Sequence, residues 1–243
     1  MFDRGKQYRR QTAIFAGVLL CGFLSGPSFA AAEKIILFLG DSITAGYGLD
    51  PSRAYPELIQ EKINARKWPF KVINAGQSGD TSAGGLSRLD WLLKRRIDVL
   101  LLELGANDGL RGLPVEATKR NLQAIIDRTR AKYPEAKMII AGMMVPPNMG
   151  RDYGKKFSAI FAELAEKNHA ALIPFLLEKV GGVRDLNLPD GIHPSAKGHE
   201  IVADNVWRVL EPILRSLADG RRAAPARREK ARFPALASAP QLS

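Results

Sequence analysis

Between residues 33 and 217 the chain alternates short apolar runs with longer amphipathic stretches, and this alternation constrains its fold most. The apolar runs fall at 35–39, 70–74, 99–104, 138–142 and 171–173. The first, Ile35-Ile36-Leu37-Phe38-Leu39, is apolar at every position. A strand without polar alternation is buried on both faces, as in a parallel sheet. Between the runs, apolar residues recur at helical spacing. They are Leu58, Ile59 and Ile63; Leu86, Leu89, Leu92 and Leu93; Leu122, Ile125, Ile126 and Thr129; and Phe157, Ile160, Phe161 and Leu164. The spacing predicts helices over 55–67, 82–94, 116–132 and 153–168, and a last one from about 195 to 217. Strands that alternate with helices imply right-handed crossovers and a parallel sheet covered on both sides. The expectation is an α/β protein, a three-layer α/β/α sandwich over 33–217, with no internal repeat and no second domain.

The two ends differ from this middle. The chain has 243 residues, 46% of them hydrophobic, which suits one full-sized core with appendages. Its net charge of +11 is concentrated at the termini. Arg4, Lys6, Arg9 and Arg10 face only Asp3 at the start, and Arg221, Arg222, Arg227, Arg228, Lys230 and Arg232 crowd the end. Basicity placed this way is poor evidence for nucleic-acid binding, and no nucleic-acid partner is expected. Residues 1–30 read as a secretory signal. A basic stretch precedes an apolar run over 13–24, and Ser28-Phe29-Ala30 places small residues at the −3 and −1 positions for cleavage after Ala30. The run is shorter than the roughly 18 or more residues of a permanent membrane span. Cys21, the only cysteine, lies inside this segment, so the mature chain would hold no thiol in an oxidising compartment. A periplasmic, monomeric protein is expected. Residues 219–243 are rich in Ala, Pro and Arg and are expected to be disordered. Either this tail has no role, or it attaches weakly to an anionic membrane surface.

The chemistry-bearing residues lie where strands end. Gly40-Asp41-Ser42-Ile43-Thr44 follows the first strand and delivers a hydroxyl to the carboxyl edge of the sheet, where open α/β sheets bind ligands. A plain turn is the other reading of Gly-Asp-Ser. A serine nucleophile needs a base, a group that orients the base, and donors for the oxyanion. His169 ends an amphipathic helix and His199 opens the last one, where solvated or structural roles are the default. His193 stands in the loop Pro189-Asp190-Gly191-Ile192-His193-Pro194 just before that helix. Asp190 can fold back to accept from His193 Nδ1, leaving Nε2 to take the proton of Ser42. An Asp-initiated turn is the alternative. Two further Gly-rich loops follow the second and third strands, at 74–81 and 105–109. There Gly79 offers an unobstructed N–H and Asn107 a side-chain amide, although turn chemistry accounts for either.

Gly40-Asp41-Ser42, Gly79 within Ser-Gly-Asp-Thr, Gly-x-Asn-Asp at 105–108 and Asp190-x-x-His193 together resemble the SGNH, or GDSL-type, hydrolases. The resemblance covers about 35–214 and keeps the motifs in order. It is strongest toward the bacterial periplasmic thioesterase, lysophospholipase and arylesterase subgroup. It implies a flavodoxin-like sheet of five parallel strands ordered 2-1-3-4-5. It also implies Ser42 as nucleophile, His193 as base and then acid, Asp190 as its orienter, and an oxyanion hole made of the N–H groups of Ser42 and Gly79 with the Asn107 amide. Thr44 stands where a Gly-x-Ser-x-Gly motif would have its last glycine, which argues against the α/β-hydrolase fold.

The expected reaction is hydrolysis of a small-molecule ester or thioester through an acyl-serine, with no metal and no cofactor. Aryl esters, acyl-CoA-type thioesters and lysophospholipids are the candidate substrates. The loops Leu110-Arg111-Gly112-Leu113 and Val145-Pro146-Pro147-Asn148-Met149-Gly150 either contact the acyl or aryl group or merely cover the core. Asp41, Leu110 and Pro146 are the candidate substrate contacts. Three rivals stand. A carbohydrate O-acetylesterase on the same fold differs only in substrate, and a secreted binding module would hold an inactive site. A metal-dependent phosphodiesterase would use Asp41, Asp80, Asp108, Asp190 and His193, but these lie scattered one per loop.

Overall fold

The computed structural model describes residues 33–220. The signal read at 1–30 and the tail from 221 onward lie outside those residues. Strand β1 (Lys34–Gly40) leads through a single turn, α1 (Ser42–Ala45), to α2 (Tyr55–Ala65) and β2 (Phe70–Gly76). Helix α3 (Ser82–Leu92), β3 (Val99–Glu103), α4 (Ala106–Leu110) and α5 (Val115–Lys132) follow. The chain closes with β4 (Lys137–Ala141), α6 (Arg151–Lys167), β5 (Ala171–Ile173) and α7 (Ala196–Ala218). Short 3₁₀ turns occupy Pro51–Arg53, Pro147–Met149 and Arg184–Leu186.

All strand pairings in the sheet are parallel, as the sequence pattern implies, and its order is β2-β1-β3-β4-β5, as the family resemblance implies. Strand β3 is buried at all five positions and β1 at its last five, the expected result of covering both faces. Helices α2 and α7 pack on one another, while α3 packs on α5 and α5 on α6. Each helix turns its periodic apolar residues inward. Ile59 and Ile63 of α2, Leu122, Ile125 and Ile126 of α5, and Phe157, Ile160, Phe161 and Leu164 of α6 are all buried. Two elements escape the periodicity. Helices α1 and α4 span four and five residues, too short to display a 3.6-residue repeat.

The chain order starts at β1, steps to β2 on one side, and then passes to β3 on the other. β1 therefore bounds the crevice where the winding direction reverses. The register is level there. Gly40 pairs with Gly76 across one edge and with Glu103 across the other. Three loops consequently leave the sheet side by side.

The turn that carries Ser42 depends on a close approach at Gly76. A Cβ there would stand 2.2 Å from the Ala45 backbone nitrogen and 2.7 Å from its Cα. Backbone cannot yield as a flexible side chain would. Gly76→Ala is therefore expected to lower stability by about 1–3 kcal/mol, the usual cost of overpacking, and to displace α1. A shifted urea unfolding midpoint and a fall in activity are the expected readouts; an unchanged midpoint would contradict this packing.

Candidate active site

Asp41 begins the site by capping α1. Its Oδ1 accepts from Ile43 N–H at 3.0 Å, satisfying one of the donors a helix start leaves open. Ser42 is then the first residue of α1 and is 8% exposed. Its Oγ lies 2.9 Å from His193 Nε2, although the two residues are 151 positions apart in the chain. His193 Nδ1 lies 2.7 Å from Asp190 Oδ2. Oδ1 of the same carboxylate accepts from Ile192 N–H at 2.9 Å and His193 N–H at 3.0 Å. The two readings of Asp-x-x-His are thus both realised: one oxygen makes the turn and the other faces the imidazole. The two backbone donors, with the imidazole hydrogen bond, hold the Asp190 carboxyl down at about 2. An acceptor at Nδ1 sets the tautomer that leaves Nε2 free to accept from Ser42.

The remaining loops bring their groups to the same edge. Gly79 follows β2 with φ +81°, a conformation that favours glycine, and its N–H donates to no group among the described residues. Its carbonyl accepts from Arg111 Nη2 at 3.0 Å. Asn107, in α4, donates through Nδ2 to Asp80 O at 2.9 Å and to Asp41 Oδ2 at 3.2 Å. The sequence offered this amide as a donor, and here its Nδ2 already has two acceptors. Asp41 also departs from expectation. It is 1% exposed, and its carboxyl serves Ile43 and Asn107 rather than open surface. Burial raises it to about 6, against the lowering effect of Ile43 N–H, His193 and Asn107.

Leu110 ends α4 and is 38% exposed. Pro146 is exposed in the loop after β4. Their two loops touch one another. Val145 Cγ1 occupies the place of a Cβ on Gly109, Met149 Cε lies beside Gly112, and Tyr153 Oη donates to Leu113 O at 2.8 Å. The acids of the phosphodiesterase reading are separately engaged. Asp80 pairs with Arg88, Asp108 is held by Ser82 and Thr118, and Asp190 faces His193. Among the described residues no group of three or more His, Cys, Asp and Glu is arranged to hold a metal ion.

Three residues emerge that sequence reasoning missed. The Tyr47 ring lies 4.5 Å from the His193 ring, tilted by 38°. Arg88 reaches across from α3. Glu103 ends β3 beneath the Ser42 turn, fully buried, and its Oε2 accepts from Asp41 N–H at 3.1 Å and from Thr44 Oγ1 at 2.7 Å. Thr44 Oγ1 is also bonded to Tyr55 Oη at 2.8 Å, and Tyr55 N–H donates to His199 Nδ1 at 3.1 Å. His199 thus has the structural role read for it, and burial pushes it down to about 4, leaving it neutral. An acid ending an otherwise apolar strand was the one available signal for Glu103.

Burial, and then the nearby Asp41 charge, push the Glu103 carboxyl well above its ordinary value near 4.5. The folded state therefore keeps a proton that the unfolded chain releases. Stability from this group is complete below about pH 4.5 and is lost as pH rises toward the folded value. Glu103→Gln removes that proton linkage while preserving an acceptor oxygen. Its stability relative to wild type is expected to rise between pH 5 and pH 8 in thermal melts, and a pH-independent difference would show that Glu103 is ionised when folded.

With this geometry in view, the kinship of the chain is direct. Residues 38–201 match the model of the GDSL-like lipase/acylhydrolase family. Esterase TesA of Pseudomonas aeruginosa is 40% identical over 185 residues, covering 76% of this chain and 91% of that relative. Thioesterase 1/protease 1/lysophospholipase L1 of Escherichia coli is 38% identical over 186 residues, covering 76% and 87%. The crystal structure of psychrotrophic esterase EstA from a Pseudoalteromonas species, inhibited by monoethylphosphonate, has a TM-score of 0.71 at 36% identity and covers 75% of this chain and all of that one. The chain belongs to the GDSL-like lipase/acylhydrolase family.

Proposed function

We propose that this protein is a serine esterase that hydrolyses carboxylic esters and thioesters through an acyl-serine intermediate. The observation that carries the reading is the relay Ser42 Oγ to His193 Nε2 at 2.9 Å and His193 Nδ1 to Asp190 Oδ2 at 2.7 Å. As Ser42 attacks the carbonyl, His193 takes its proton and becomes an imidazolium beside the ionised Asp190. The oxyanion forms against the N–H groups of Ser42 and Gly79 and the Asn107 amide. Of the two hydrogen bonds Asn107 makes, the longer one, to Asp41, is the one the oxyanion replaces. His193 returns the proton to the leaving alcohol or thiol. It then activates a water that frees the acid and regenerates Ser42.

The rim supports apolar acyl or aryl groups over a sugar acetate. Tyr47 and Ile192 beside His193, and Leu110 and Leu113 beside Arg111, are four of the six exposed large hydrophobics among the described residues, Trp91 and Val183 being the others. Aryl esters, acyl-CoA-type thioesters and lysophospholipids are the proposed substrates. The names of the relatives support this breadth, being esterase for one and thioesterase and lysophospholipase for the other. The basic, apolar and small-residue order of residues 1–30 supports export to the periplasm. A monomer is proposed, because the whole relay comes from one chain. Weak attachment to an anionic surface is the role proposed for the basic tail.

The assay is hydrolysis of a p-nitrophenyl ester series and of acyl-CoA thioesters. Ser42→Ala and His193→Ala are expected to lose about 10⁴-fold or more in kcat. Asp190→Asn, which keeps the shape but spoils the tautomer, should lose about 10³–10⁴-fold. An organophosphonate should label wild type at Ser42. Equal hydrolysis by wild type and Ser42→Ala would refute the mechanism. A periplasmic product beginning near Ala31 is expected on cell fractionation, and a full-length cytosolic product would overturn the export reading.

A further inference from the structure

We propose that Arg88 is a positioning residue of the oxyanion hole, its guanidinium setting the spacing of the three donors without touching substrate. The proposal rests on the serine-esterase reading above and assigns work to a residue that reading does not use.

The geometry is specific. Arg88 Nε donates to Asp80 Oδ2 at 2.6 Å, and its Nη2 donates to the Gly40 carbonyl at 3.0 Å. The Arg88 side chain is 19% exposed and that of Asp80 is 9% exposed, so the pair is largely screened from water. Each acceptor adjoins an oxyanion donor. Gly40 ends β1, two residues before Ser42. Asp80 directly follows Gly79, and its carbonyl accepts from Asn107 Nδ2 at 2.9 Å. A single planar cation thus grips the chain near Ser42, Gly79 and, through Asp80, Asn107. Gln77 N–H also bonds the Gly40 carbonyl, at 3.1 Å, so the loop after β2 is tied to the end of β1 from both directions.

The physical consequence follows from how such holes work. Donors stabilise a transition state only when they already point at the place where charge develops. Gly79, with its left-handed backbone, sits in a loop rather than in the sheet, and nothing in the strand pairing fixes it. A loop that wanders by an ångström costs catalysis and not ground-state binding. Arg88 suits this task because its fork offers two donors at a fixed angle. A lysine ammonium offers a point charge that cannot span both acceptors in the same geometry.

The alternative is a plain staple between α3 and the adjacent loop, which would lower the melting temperature but leave the kcat of folded enzyme intact. Steady-state hydrolysis of p-nitrophenyl butyrate by Arg88→Ala, Arg88→Lys, Asn107→Ala and Ser42→Ala separates the two. Arg88→Ala is expected to lose about 10–100-fold in kcat with KM held within about threefold. Guanidinium added below denaturing concentration should restore part of that loss in Arg88→Ala and nothing in Asn107→Ala. Arg88→Lys should recover only part of the wild-type kcat. Because Arg88 acts through Asn107 among others, the double variant Arg88→Ala/Asn107→Ala should lose less than the product of the two single losses. Wild-type kcat in Arg88→Ala, or a raised KM at unchanged kcat, would overturn the proposal. Should Arg88→Ala fail to fold, Arg88→Lys decides alone: wild-type kcat there overturns it. A Ser42→Ala variant as active as wild type would instead sink the esterase reading, so the two failures are distinguishable.

Discussion

Gly40 stands level with Gly76 on one side and with Glu103 on the other, and the site depends on that register. Parallel strands leave a sheet at the same edge, but only an even register makes their loops leave at the same height. Here the nucleophile turn, the Gly79 loop and α4 emerge together at the crevice where the winding reverses. A one-residue slip in either pairing would turn every side chain of that strand to the opposite face and separate the donors from Ser42. The fourth contribution comes from far along the chain. Helix α7 packs on α2, and the loop before it carries Asp190 and His193 across to Ser42. The Ser195 side chain caps α7 and the Ser195 N–H bonds Leu186 O, so both ends of that loop are held.

Two carboxyl groups of the site are driven in opposite directions by their surroundings. Asp190 accepts two backbone N–H groups and faces an imidazole, and it stays ionised well into acid. Asp41, buried beneath the serine, is raised to about 6. The difference is one of solvation and donors, since the side chains are chemically identical. Asp190 is suited to carry charge opposite an imidazolium. Asp41 is suited to hold the Ile43 N–H and the Asn107 amide in place beneath Ser42.

Beneath the catalytic edge lies a second polar layer of Glu103, Thr44, Tyr55 and His199, all buried. Polar groups in a core are costly unless they satisfy one another. These do so in a chain that runs from the end of β3, through α1, to the start of α2 and on to α7. Glu103 Oε1 is the exception, with no hydrogen-bond partner among the described residues. The arrangement locks the short helix that presents Ser42, a helix of four residues that has little stability of its own.

Much of this protein is legible in its sequence. Hydrophobic periodicity is a local property of the backbone, so five apolar runs and the amphipathic stretches between them were enough for an α/β/α sandwich. The chemistry lay in loops, where Ser42, Gly79, Asn107, Asp190 and His193 could be singled out by residue type and by position after strands. Asp190 and His193 are three residues apart, so even their pairing was local. Contacts between side chains on separate crossovers were not legible. Arg88 on the Gly40 carbonyl, Tyr47 against the imidazole, and Glu103 under Asp41 depend on strand register and helix packing, which no window of sequence contains. The inward turn of the Asp41 carboxyl and the two acceptors of Asn107 have the same origin. The sequence by itself determined which groups are present and on which edge they lie. The tertiary structure decided which of them lie open at that edge and which hold the others in place, because burial and hydrogen bonding across 60 or more residues are set only when the layers pack.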